Sequence, residues 1–283
     1  MFEYSFMVRA LIGGIAMALV CGPLSFFVVV KRLAFAGMGI SHAAFGGVAL
    51  GLALGIDPLA TAAGFCCLVA LGIWFTSRRG RLHEDAVIGM LFVTAMAVGL
   101  MVIRWADVYN VDLMAYLFGS LLGLDGADLA LILGLGAFSL LYLILFFKEL
   151  LFIAFDEETA RASGIPVDFI YAGFLVILAL VIVVSIKLVG VILVSALLVF
   201  PCAVGLQWSR NYRGVVAVSQ LAGMVSVSVG LYLSYRLDVS SGASIVLVLF
   251  AVFLLSLLVS PGRRHAIAFL RGGTRKGGDG GAG

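Results

Sequence analysis

Residues 169–186 read FIYAGFLVILALVIVVSI, an apolar stretch without a charged side chain. At about 1.5 Å per residue in an α-helix, it reaches most of the way across a hydrocarbon core of roughly 30 Å. Such runs recur, because 63% of the 283 residues are hydrophobic and only 12% are charged. Backbone amides in lipid must pair internally, and these runs lack the alternation of barrel strands. The predicted fold class is therefore all-α, in a polytopic integral membrane protein.

Charge clusters and glycine or proline breaks divide the chain into nine predicted membrane spans. They lie near 6–30, 36–56, 59–77, 85–104, 127–147, 168–187, 190–207, 214–236 and 242–260. The stretch 112–124 is too short to cross and could form a re-entrant or interfacial helix, so eight spans is the nearest alternative. Residues 1–260 form one predicted membrane domain. The basic, Gly-rich tail 261–283 can bury little apolar surface and is predicted to be disordered.

Lysine and arginine are distributed unequally between the two ends of these spans. With the N-terminus outside, the cytoplasmic segments hold all of the 18 Lys and Arg except Arg9, Arg104, Lys187 and Arg236. The positive-inside rule therefore predicts an outside N-terminus and a cytoplasmic C-terminus. Because the net charge of +3 lies mostly on one side of the membrane, it does not indicate nucleic-acid binding. No G-x-x-x-x-G-K-[ST] loop is present, so ATP hydrolysis by that route would need a separate subunit.

The second span, GMGISHAAFGGVALGLALG at 37–55, carries a single histidine, His42. Small residues recur every four positions beside it and predict close helix packing. They are Gly39, Ala43, Gly47, Gly51 and Gly55. An ionisable side chain at membrane depth is costly unless it faces protein or a wet cavity, and neutral imidazole is a common metal ligand. His42 is therefore the candidate metal ligand; the alternative is a histidine satisfied by a serine or a backbone carbonyl.

Two prolines, Pro23 and Pro201, fall inside predicted spans. Proline has no amide proton, so the carbonyl four residues earlier loses its helical partner. Those carbonyls belong to Leu19 and Leu197. Kinks of this kind can line a transport pathway, and they also occur in purely structural helices.

The polar loop FDEETARASGIPVDF at 155–169 predicts a short, well-capped helix. Its signals are Asp156 as N-cap, Glu157 and Glu158 in the first turn, Arg161 paired with Glu157 at i,i+4, and Gly164 as C-cap. A free helix of this length is marginal in water. The element at 156–164 is therefore interpreted as a docking helix, and the alternative is an ordinary connector.

Four stretches of the chain resemble the permease family of bacterial zinc, manganese and iron ABC importers, the ZnuB type. They are 22–51 (GPLSFFVVVKRLAFAGMGISHAAFGGVALG), 111–122 (VDLMAYLFGSLL), 156–165 (DEETARASGI) and 187–205 (KLVGVILVSALLVFPCAVG). The resemblance extends over nearly all of residues 8–260. It implies a type II importer-like permease in the bacterial inner membrane, without enzymatic activity or a bound cofactor.

The resemblance also implies partners and a site. Two copies of the permease would surround a central pathway, with two cytoplasmic ATPase subunits and an extracytoplasmic metal-binding protein. The loop 156–164 would be the coupling helix that contacts the ATPase. In the family, an Asp and a His four residues apart on the second helix form the metal site; here His42 matches the histidine and Met38 stands at the Asp position. A soft thioether suits manganese poorly, so the expected cargo is zinc, with manganese or iron as the alternative.

Two other classes of protein remain as alternatives. An ion-coupled secondary transporter would be expected to carry several intramembrane carboxylates, and none lies centrally in the predicted spans. An intramembrane enzyme would need paired catalytic groups at membrane depth, and the spans contain none. Both alternatives fit the sequence less well than an ABC permease.

Overall fold

The computed structural model describes residues 5–80, 84–106 and 125–259, and every regular element within them is an α-helix. In chain order the helices are α1 (Ser5–Val30), α2 (Ala36–Leu54), α3 (Pro58–Gly80), α4 (Glu84–Trp105), α5 (Gly126–Leu145), α6 (Phe147–Phe155), α7 (Glu157–Ala162), α8 (Val167–Leu197), α9 (Phe200–Trp208), α10 (Tyr212–Leu237) and α11 (Ser241–Val259). The stretch 112–124 and the tail 261–283 lie outside the described residues. The all-α prediction is confirmed for the rest.

Nine segments of the described chain are long and apolar enough to cross a membrane. They are Phe6–Val30, Ala36–Leu54, Pro58–Gly80, Glu84–Trp105, Gly126–Leu145, Val167–Ile186, Val189–Trp208, Tyr212–Leu237 and Ser241–Val259. Each coincides with one of the predicted spans to within a few residues. The short helices α6 and α7 follow the fifth span and lead into the sixth.

The segment from Val167 to Trp208 is interrupted twice and contains two candidate spans. Gly190 has φ 80° and ψ 163°, a conformation that interrupts α8 and that glycine adopts without a steric penalty. A second break follows at Val199, with φ −122° and ψ −55°. Pro201 lies in the first turn of α9, where its missing amide proton costs little. Pro201 is thus within a span, as expected, but it begins a helix instead of kinking one.

Pro23, by contrast, lies inside the continuous helix α1. The carbonyl of Leu19, which loses its helical partner, accepts a hydrogen bond from Nε2 of Gln220 on α10 at 3.4 Å. An acceptor released by proline is therefore satisfied by a neighbouring helix, as backbone groups in lipid require. The contact joins α1 to α10.

Helix α2 packs against α3, α4 and α8. Its small residues permit this, since a Cβ added to Gly47 would lie 2.5 Å from Cα of Ala62 on α3. Gly55, the last of the small residues that recur every four positions in this span, has another role. It ends α2 with φ 68° and donates its amide to the last carbonyls of the helix, and a Cβ there would meet nothing within 4 Å. The close packing through these small residues therefore ends before Gly55.

Candidate functional site

His42 lies on an accessible strip of α2. Most of this helix is buried, but Met38 is 41% exposed, and His42 and Phe45 are half-buried. These three residues follow the spacing i, i+4, i+7 and therefore lie on one face of the helix. We call this face the Met38 strip. Along this face α2 is accessible to an approaching group.

The imidazole of His42 is held in one tautomer. Its Nδ1 lies 2.8 Å from the backbone carbonyl oxygen of Met38, and a carbonyl only accepts, so Nδ1 carries the proton and donates it. The ring also packs edge-on against Phe92 of α4, with centroids 5.6 Å apart. In this tautomer Nε2 keeps its lone pair, and no residue in the described ranges hydrogen-bonds to it. The histidine is thus hydrogen-bonded through one nitrogen, and the other keeps a lone pair that could act as a ligand.

The donor set on the Met38 strip is small. Within the part of the chain that the structure describes, no three His, Cys, Asp or Glu side chains come together as a metal-binding group. His42 offers one nitrogen, and the thioether of Met38 lies one helical turn away on the same face. These two side chains alone would leave a divalent transition metal ion short of its usual four or more ligands.

The short helix α7 has the N-cap that the sequence predicts, and its C-cap is Ser163, which the predicted Gly164 follows directly. Asp156 accepts hydrogen bonds from the backbone amide of Thr159 at 3.0 Å and from its hydroxyl at 2.6 Å. The hydroxyl and amide hydrogen bonds from Thr159 lower the pKa of Asp156. At the other end Gly164 has φ 84°, and the amide of Ile165 donates to the carbonyl of Ala160. The helix is therefore closed at both ends by its own residues.

Glu157 at the start of α7 pairs mainly with residues far away in sequence. Its carboxylate accepts hydrogen bonds from Arg78 of α3 and from Lys31, which follows α1, at 3.4 Å. The predicted partner Arg161 is also present, but at 3.6 Å. Burial alone raises the pKa of Glu157, yet the hydrogen bond and charge of Arg78, with Lys31, outweigh it and leave this pKa below its usual value.

Asp168 extends the same group of charges. It binds both terminal nitrogens of Arg161, at 2.7 and 3.2 Å, and lies 3.3 Å from Nε of Arg78. Lys31, Arg78, Glu157, Arg161 and Asp168 together form what we call the ionic cluster. It connects α7 to α3, to α8 and to the end of α1. Glu158 is solvent-exposed and does not take part.

The aromatic ring of Tyr171 on α8 contacts two cations of the ionic cluster, Lys31 and Arg78. Its hydroxyl donates to Glu84 of α4 at 2.6 Å, and Nζ of Lys31 lies 4.7 Å from the centre of its ring. An open cavity of about 540 Å³ is lined by three members of the cluster, Lys31, Arg78 and Glu157, and by Arg32, Ser77, Glu84 and Asp85. Sequence reasoning missed Arg78, Lys31 and Tyr171, because only folding brings them to Glu157. Their one shared sequence signal is a position at the end of a span.

The ionic cluster and the Met38 strip are close along the chain. Lys31 precedes α2 by a short turn, and His42 lies about 9 Å along that helix from its start at 1.5 Å per residue. Arg78 belongs to α3, which packs along α2. The ionic cluster therefore fixes the end of the two-helix unit that carries His42.

Comparison with known proteins gives one consistent result. A family model described as the ABC 3 transport family matches residues 3–260. The manganese transport system membrane protein MntC of Halalkalibacterium halodurans is 35% identical over 270 residues, which cover 95% of this chain and 92% of that protein. The chelated iron transport system membrane protein YfeD of Yersinia pestis is 35% identical over 260 residues, covering 91% of this chain and 86% of that protein.

A solved structure agrees with these relatives. In PsaBC from Streptococcus pneumoniae in complex with Fab, one chain is 33% identical to this one and superposes with a TM-score of 0.80, over 93% of this chain and 94% of that chain. The match covers essentially the whole helical bundle and not a single motif. This chain belongs to the ABC 3 transport family and is a multi-pass membrane permease, a transport subunit without enzymatic activity of its own.

Proposed function

We propose that this permease carries a divalent transition metal ion into the cytoplasm along the Met38 strip of α2. The observation that supports this most directly is the tautomer of His42, which leaves Nε2 free on the accessible face of a buried helix. Binding by so few ligands is weak, and a transport site must release its ion. A site that binds the ion weakly is therefore compatible with transport of the ion.

The small donor set also supports a second copy of the chain opposite the first. Two facing Met38 strips would contribute two imidazoles and two thioethers, enough for a four-coordinate ion. The pathway would then lie between the two permeases. An extracytoplasmic metal-binding protein would deliver the ion to this pathway.

Helix α7 is proposed as the coupling helix that contacts a cytoplasmic ATPase, one for each permease. This assignment places the ionic cluster on the cytoplasmic side, in keeping with the distribution of Lys and Arg. A displacement of α7 would change the contacts of Glu157 with Arg78 and Lys31. It would thereby shift the α2–α3 unit. ATP binding in the partner would in this way change the access to His42 while the permease performs no covalent chemistry.

Different observations favour zinc as the cargo and manganese or iron as the cargo. The nitrogen and thioether donors of His42 and Met38 favour zinc, because soft sulfur ligands suit zinc better than manganese. The names of the relatives favour manganese or iron. Uptake measured with each ion separately, and in competition, distinguishes these candidates.

The test uses the permease co-expressed with its ATPase and reconstituted in liposomes. We expect the ATPase to copurify and ATP-dependent uptake of zinc, manganese or iron to fall on the order of tenfold in His42→Ala. Ser41→Ala is the matched control, since Ser41 is buried next to His42 and its hydroxyl only returns to the carbonyl of Gly37. Equal losses of uptake in the two variants, or uptake without any ATPase, would contradict the proposal.

A further inference from the structure

A groove opens between the junction of α5 and α6 and the start of α10. It encloses about 430 Å³ and lies on the outer surface of the bundle. Its lining includes the apolar side chains of Ile144, Val216 and Ala217 and the cations Lys148 and Arg213. The groove therefore combines apolar surface with two positive charges.

The two cations lie where lipid headgroups are expected. The fifth span ends at Leu145, three residues before Lys148, and the eighth begins at Tyr212, next to Arg213. Within the described ranges neither cation forms a salt bridge; Nε of Arg213 is 3.1 Å from the hydroxyl of Tyr212. Two cations that line one groove, neither paired with a carboxylate of the described residues, make a favourable site for a phosphate.

We propose that this groove binds an anionic phospholipid, with its phosphate between Lys148 and Arg213. One acyl chain would lie along Ile144, Val216 and Ala217; Ile144 is 72% exposed and offers apolar surface of the required kind. Basic pockets between membrane helices are suited to such headgroups. The binding itself requires only that the bundle span a membrane.

The position of the groove gives the lipid a mechanical role, and this step rests on the proposed coupling function. Helix α5 ends at Phe146, with φ −106° and ψ 17°, and α6 continues from there to Asp156, the N-cap of α7. A lipid bound at Lys148 would restrict the motion of this junction. Gln220, which also lines the groove, is the residue that satisfies the Leu19 carbonyl beside Pro23. A lipid bound in the groove would thus limit the motion of the segment that carries the coupling helix.

The experiment is native mass spectrometry of the full-length permease, purified in detergent, with added phosphatidylglycerol or phosphatidylcholine of identical acyl chains. We expect preferential binding of phosphatidylglycerol, weakened about fivefold by Lys148→Gln or Arg213→Gln and about thirtyfold by both together. Arg210→Gln is the matched control, because Arg210 is an exposed cation at the same end but does not line the groove. It should bind the lipid as the wild type does.

A second variant tests the acyl chain without changing charge. Ala217→Trp fills the groove and should weaken phosphatidylglycerol binding while thermal unfolding stays near that of the wild type. The proposal is overturned if both lipids bind equally, if the double variant binds phosphatidylglycerol as the wild type does, or if Ala217→Trp has no effect. It is also overturned if the double variant loses a permease dimer instead of a lipid, since a second copy would then occupy the groove.

Discussion

His42 differs from the other polar residues of the spans in what remains after its local hydrogen bond is made. Buried serines such as Ser41 and Ser219 donate their single proton to the carbonyl four residues earlier. His42 makes the same kind of bond to Met38, but its ring has a second nitrogen. Because the first nitrogen holds the proton, the second keeps the lone pair that a cation could bind. The backbone hydrogen bond is therefore compatible with the proposed metal-binding role of His42 and does not compete with it.

At the same scale, Met38→Asp tests which side chain sets the cargo preference. A hard carboxylate one turn from His42 should favour manganese, so we expect the ratio of manganese to zinc uptake to rise on the order of tenfold. Met38→Leu is the matched control, since it removes the sulfur without adding charge and should lower zinc uptake alone. The measurement is competitive uptake in liposomes containing the ATPase. An unchanged ratio in Met38→Asp would show that selectivity arises elsewhere.

At the scale of single elements, α7 is stabilised by both local and distant contacts. Its caps come from residues next to it, whereas Glu157 is paired with cations from α3 and from the end of α1. Because those cations lower the pKa of Glu157, the folded state binds fewer protons than the unfolded state at acid pH. The contribution of this carboxylate to stability is present above its unfolded pKa of about 4.3, and it is lost as pH falls through the lower, folded pKa.

Glu157→Gln should therefore lower the melting temperature of the permease at pH 6 and have progressively less effect below about pH 4. Glu158→Gln is the matched control, because it changes the same charge on the same helix at an exposed position outside the ionic cluster. The measurement is thermal unfolding in detergent without the ATPase, so that docking does not contribute. A difference between wild type and Glu157→Gln that stays constant with pH, or an equal effect of Glu158→Gln, would argue against the ionic cluster.

These elements show which structural features a sequence can reveal. The caps of α7 were predictable because Asp156 and Gly164 act on residues within one turn of themselves. The partners of Glu157 were not, since Arg78 and Lys31 lie 79 and 126 residues away and meet it only after the bundle forms. The break at Phe146 was also missed, because no proline or glycine marks it in the sequence.

At the scale of the whole molecule, hydrophobic length determined the nine spans almost completely, because lipid penalises any unpaired backbone group. Other features needed the structure. The packing of α2 between α3, α4 and α8 depends on which helix faces meet, and the sequence contains that information only as a pattern of small residues. His42 was identifiable from sequence as the one histidine at membrane depth, but its tautomer and its open face were not.

The orientation of the bundle is the remaining prediction at this scale. Ile56 and Arg210 are exposed at opposite ends of the spans, so Ile56→Cys should react with a membrane-impermeant maleimide on intact cells, and Arg210→Cys only after permeabilisation. The native thiols give little background, since Cys21, Cys66 and Cys202 are buried and Cys67 is half-buried within a span. Arg210 is remote from α7 in sequence, so a docked ATPase need not cover it. The opposite labelling pattern would place α7 outside the cell, where no ATPase could reach it, and would overturn the coupling assignment together with the predicted topology.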